Sequence, residues 1–91
     1  MKRYIKAETT YNVDIKTFSK KFRAEYNFLY DNYDRVAGYS EAVDEFDARM
    51  DSSENFKKFV GEFCNYRGDF ISSDREAAAF MFAMESMGLL N

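Results

Sequence analysis

The chain has 91 residues, sixteen acids against thirteen bases, one cysteine and no histidine, the profile of one small acidic domain, 1–91. Without histidine it lacks the commonest general base, pH switch and metal ligand. The missing histidine excludes Ser-His-Asp and Cys-His catalysis, and one thiol, Cys64, cannot close an intramolecular disulfide or supply a Cys/His zinc cage.

The first segment, Met1-Lys2-Arg3-Tyr4-Ile5-Lys6, is positively charged like the start of a signal peptide. Ala7-Glu8-Thr9-Thr10-Tyr11 follows it in place of an apolar core, and no run of about 18 apolar residues occurs anywhere. The expectation is a cytoplasmic protein that does not enter a membrane, and a lone cysteine fits a reducing compartment. Residues 2–11 alternate, with Ile5, Ala7, Thr9 and Tyr11 on one side and Lys2, Tyr4, Lys6, Glu8 and Thr10 on the other, which predicts a strand. A strand needs a mate for its backbone groups. Two are available: the short run at residues 69–72, or the same strand of a second copy.

Asn12 or Asp14 can cap a helix over 14–33 whose inward stripe is Ile15, Phe18, Phe22, Tyr26 and Leu29. Gly38 breaks the pattern, and Ser40 can cap a second helix, 40–51, with Val43, Phe46 and Met50 inward. The run Asp51-Ser52-Ser53-Glu54 fits a capping pattern for a third helix, 52–66, burying Phe56, Phe59, Val60 and Phe63. Gly68 sits where a terminating glycine belongs. Ser73 and Glu76 form a capping box for a fourth helix, 73–87, with Ala77, Phe80, Met81, Met84 and Met87 as its stripe. The fold class is mainly α, or α+β if residues 69–72 pair with the strand.

Several motifs invite a functional reading. Arg67-Gly68-Asp69 has the form of an adhesion ligand, but its glycine stands at a helix end and reads first as a helix stop. Asp44 with Asp47 and Glu41 with Glu45 pair carboxylates on one helix face, which reads as a solvated face rather than a two-carboxylate active site. Residues 31–41 lack the glycine position and alternating oxygens of a calcium loop. Cys64 reads as a buried structural thiol. No catalytic residue, metal or cofactor is expected. The last helix is apolar on more than one side, since Phe82 falls off the Met81/Met84 face, so self-association through it competes with plain core packing.

Charge is distributed unevenly. Residues 1–23 hold seven bases and two acids, a net of +5, and the remainder holds six bases and fourteen acids, a net of −8. Lys16, Lys20, Lys21 and Arg23 make a basic helix face that suits nucleic acid, although the sequence pI of about 4.9 is low for that role. The segment 30–51 interleaves Tyr30, Tyr33 and Tyr39 with Asp31, Asp34, Glu41, Asp44, Glu45 and Asp47. Tyrosine supplies contact area and carboxylates steer toward a basic surface, so these nine residues are the candidate partner-binding set. Short length, acidity, no histidine and no catalytic motif together resemble small phage-encoded inhibitors of bacterial defence, the anti-restriction and anti-CRISPR class that includes DNA mimics. The resemblance rests on size and charge and carries no site residues over. It implies a non-enzymatic inhibitor acting in a host cytoplasm on a basic, nucleic-acid-binding host protein. The basic first 23 residues favour a local acidic patch over full-surface mimicry, and a homodimer is a further expectation.

Overall fold

Phe22, Tyr26 and Leu29 recur every three to four residues, and all three are buried on one side of the first helix, α1, Ile15–Asp31. The computed structural model describes residues 15–89, with side chains from residue 20 onward. Asn32 ends α1 by aiming both its backbone N–H (3.1 Å) and its side-chain amide (2.8 Å) at the Phe28 carbonyl. One turn of 3-10 helix, Tyr33–Arg35, follows.

The second helix, α2, spans Tyr39–Ser52. Its N-cap is Gly38, held at φ 92°, where only glycine is unstrained. Ser40, expected as the cap, lies inside the first turn instead. Ser53 is the single extended residue between α2 and the third helix, α3, Glu54–Arg67. Its N–H closes α2 on the Arg49 carbonyl at 2.9 Å, and its hydroxyl accepts the Phe56 N–H at 3.2 Å to open α3. Asp51, Ser52 and Ser53 are all competent caps by type. Ser53 alone leaves helical geometry, so α3 begins two residues later than the expected 52.

At the end of α3, Gly68 adopts φ 81°, and the N–H groups of Gly68 and Asp69 both reach the Cys64 carbonyl, at 2.8 and 3.2 Å. The fourth helix, α4, spans Asp74–Ser86 and starts as the capping box predicts, with Ser73 Oγ accepting the Glu76 N–H at 3.2 Å. The four expected helices are therefore present and the described fold is mainly α. Among the described residues there is no strand. The strand expected at 2–11 lies outside them, and residues 70–72 run without regular structure.

α4 is the centre of the molecule. Every residue from Ala77 to Met84 is buried, Phe82 included. Four of those eight are alanines, and their small side chains let neighbours approach from all sides. α1 and α2 pack closely on α4, with little contact between each other. α3 closes the remaining side with longer side chains: the Phe56, Phe59 and Phe63 rings reach Phe80 at centroid distances of 5.9, 5.7 and 5.4 Å. Phe22 of α1 (5.0 Å) and Phe46 of α2 (5.8 Å) meet the same ring, all in edge-to-face geometry. Each such pair is worth roughly 0.5–1.5 kcal/mol beyond its buried area, so Phe80 ties all four helices together. The apolar breadth of α4, open to a self-association reading in the sequence, is used up within one copy of the fold.

Candidate partner-binding face

Three arginines of the acidic part of the chain, residues 24–91, turn inward. Arg49 lies on the α2 stripe with Ala42 and Phe46, is 3% exposed, and places Nε 2.8 Å from Glu45 Oε2. Arg67 lies one turn beyond Phe63, on the buried side of α3. Its Nη2 meets Glu76 Oε2 at 2.8 Å, its Nη1 donates to the Tyr26 hydroxyl at 3.1 Å, and its guanidinium carbon sits 5.1 Å from the Tyr26 ring centroid. Arg75, in the first turn of α4, stacks 4.1 Å over Tyr30 and 4.6 Å over Tyr33 and donates from Nε to the Tyr30 carbonyl at 2.9 Å. Periodicity carried a signal for two of them, since a cation at 49 or 67 falls on an apolar stripe. Nothing local marked Arg75.

The nine expected partner-binding residues separate accordingly. Arg75 gathers Tyr30 and Tyr33 against α4, and Tyr39 joins them with its ring 5.3 Å from Tyr33. These three tyrosines are half-buried and pin the 3-10 turn to the helices. Glu45 is turned to Arg49, and Glu41 is half-buried beside it. Asp31, Asp34, Asp44 and Asp47 are exposed. Asp51, three to four residues after Asp47, continues the line Asp44, Asp47, Asp51 along one face of α2. Neighbouring like charges on a helix cost about 0.2–0.5 kcal/mol per pair, and these three make no ion pair with another described residue. The expected set therefore resolves into an outer carboxylate line on α2, a second pair at Asp31 and Asp34, and a cluster of half-buried tyrosines, two of them stacked on Arg75.

Burial and hydrogen bonding perturb three groups around Arg67. Burial pushes the Tyr26 hydroxyl up to about 12, against a smaller opposing pull from the Arg67 charge. Burial also pushes Glu76 upward, but hydrogen bonds from Arg67, Ser72 and Ser73 outweigh it and hold the carboxyl below the ordinary glutamate value. Arg67 is disfavoured by burial and more than compensated by Glu76 and Tyr26. Glu76 Oε1 accepts from Ser72 N–H (3.1 Å), Ser72 Oγ (3.3 Å) and Ser73 Oγ (3.0 Å), so the carboxylate has a partner on each oxygen. This cluster fastens the α3–α4 link. It also decides the Arg-Gly-Asp triplet: the Arg67 side chain is 16% exposed and occupied, so the triplet is not displayed as a ligand.

Lys20, Lys21 and Arg23 are exposed on α1, and the Lys16 side chain lies outside the described set. Cys64 is buried. Among the described residues, no three carboxylate or thiol groups converge to hold a metal ion, and no helix is long and apolar enough to cross a membrane.

The described residues thus form a small four-helix domain built around α4, whose solvent-facing α2 surface is a line of carboxylates. No protein-family model, curated protein or solved structure matches the chain.

Proposed function

We propose that the protein acts by binding rather than by catalysis, as an inhibitor that engages a basic, nucleic-acid-binding surface of a host defence protein, in the manner of anti-CRISPR or anti-restriction proteins. One observation carries the reading. Between residues 25 and 54 the cations are Arg35 and Arg49, and Arg49 is buried against Glu45, which leaves Asp31, Asp34, Asp44, Asp47 and Asp51 facing solvent with Arg35 as the exposed cation. Carboxylates on successive helix turns present negative charge at spacings loosely similar to those of phosphates, and such a face steers association with a basic groove. The tyrosine cluster beside it supplies rigid contact area.

The test is affinity capture from nuclease-treated bacterial lysate at about 0.05 M and 0.5 M salt, across which exposed charge pairs go from weakly to strongly screened. Capture of nucleic-acid-binding proteins at the lower salt, lost at the higher, is the expected result. Capture that is indifferent to salt contradicts it.

A second reading has its own observation: Lys20, Lys21 and Arg23 are exposed together on α1. Under it the protein binds nucleic acid directly through these residues and Lys16. Retarded migration of DNA or RNA at low salt, abolished by Lys20→Glu with Lys21→Glu, supports that alternative, and unretarded nucleic acid removes it.

A further inference from the structure

The link between α3 and α4 carries two adjacent apolar residues with opposite fates. Ile71 packs against the core, whereas Phe70 is 76% exposed, the most exposed large apolar side chain of the described residues. The link is not loose around it. Gly68 and Asp69 are bonded back to Cys64, the Asp69 carboxylate accepts the Phe70 N–H at 2.8 Å, and Ser72 and Ser73 are bonded to Glu76. Arg67 fixes one flank of the link to Tyr26, and Arg75 fixes the other to Tyr30 and Tyr33. Both local cations turn toward the helices, Arg67 also lying 3.8 Å from the Asp69 carboxylate, while the Asp69 and Asp74 side chains beside Phe70 remain open to solvent.

We propose that Phe70 is an anchor that inserts into an apolar pocket with a basic rim on the protein partner. The proposal rests on the acidic-face reading and names a second contact for the same partner. A preordered backbone loses little freedom when an exposed ring is buried. An aromatic side chain flanked in the chain by Asp69 and Asp74 fits an apolar site bordered by lysine or arginine, whereas an acidic border would repel it and a neutral one would gain no charge pairing. Arg75 also joins the segment that carries Asp31, Asp34 and the exposed Arg35 to the start of α4.

The experiment uses the isotope-labelled full chain in an NMR titration with two probes of equal charge. One is oligolysine; the other is an amphipathic helical Leu-Lys peptide, a simple apolar surface with a basic border. The Leu-Lys peptide is expected to bind about tenfold more tightly than oligolysine and to move the amide signals of 68–72. Phe70→Ala should erase that advantage, and Phe70→Leu should retain most of it. Equal binding by wild type and Phe70→Ala overturns the anchor. So does a free protein in which the Phe70 ring contacts residues 1–14, or in which its signals shift with protein concentration, because its occupant is then the chain itself or a second copy. If oligolysine moves Asp44, Asp47 and Asp51 while neither probe reaches 68–72, the anchor falls and the acidic face stands. If neither probe binds, the acidic-face reading itself fails.

Discussion

The Arg67 guanidinium meets the Glu76 carboxylate at 2.8 Å, joining the last turn of α3 to the first turn of α4 across the Gly68 reversal. The two side chains are 16% and 12% exposed, so the pair is largely withdrawn from water. Breaking such a pair from one side costs more than the pair contributes, because the remaining charge stays buried.

Arg67→Ala is therefore expected to lower stability by about 2–3 kcal/mol, somewhat under the usual 3–5 because Ser72 and Ser73 still serve Glu76. Urea denaturation measures it. A double cycle with Glu76→Gln should return a coupling of about 1 kcal/mol or more. A loss below about 0.5 kcal/mol would show that the bridge is incidental.

The same cluster sets two pH limits. Glu76 has a folded-state value below its unfolded one, so its contribution is present above the unfolded value, 4.5, and is lost as pH falls through the lower folded value. Tyr26 is raised from 10.0 to about 12. The unfolded chain therefore releases this proton first, and stability that is intact below pH 10 declines as pH rises toward 12, by up to about 2–3 kcal/mol. Tyr26→Phe should remove the alkaline decline and leave the acid limb in place. Identical alkaline profiles for the variant and wild type would exclude Tyr26 as the source.

Gly61 lies in the middle of α3, is exposed, and has nothing within 4 Å of the position a Cβ would take. Gly61→Ala removes backbone freedom from the unfolded chain without a clash. A gain of about 0.5–1 kcal/mol follows, or about 4–8 °C in thermal midpoint for each kcal/mol. A decrease would mean that the helix at this position is not as regular as described.

Much of the fold is written locally. The stripes of the helices, the stop at Gly68 and the capping box at Ser73 and Glu76 depend on neighbours within four residues, and sequence spacing finds them. The start of α3 is less legible, because three adjacent residues can cap and only the backbone path selects Ser53. The role of α4 is not local at all: its breadth of burial depends on α1, α2 and α3 converging on the same alanines and on Phe80. The candidate site divides along the same line. That Asp44 and Asp47 share a face follows from helical spacing, and their exposure follows from the opposite stripe. That Tyr30, Tyr33 and Tyr39 become a cluster depends on Arg75, more than thirty residues away in the chain. Glu45 illustrates the limit, since only the buried position of Arg49 turns it from an outward carboxylate into a structural partner.

Under the proposed function, the exposed carboxylates of α2 bind a basic protein surface. The direct measurement compares wild type with Asp44→Lys combined with Asp47→Lys in parallel captures from the same nuclease-treated bacterial lysate at about 0.05 M salt. Glu45 is left intact so that Arg49 keeps its partner, and circular dichroism establishes that the variant is folded. The folded double variant is expected to lose the nucleic-acid-binding proteins that wild type retains. A folded variant that retains the same proteins in the same amounts would contradict it.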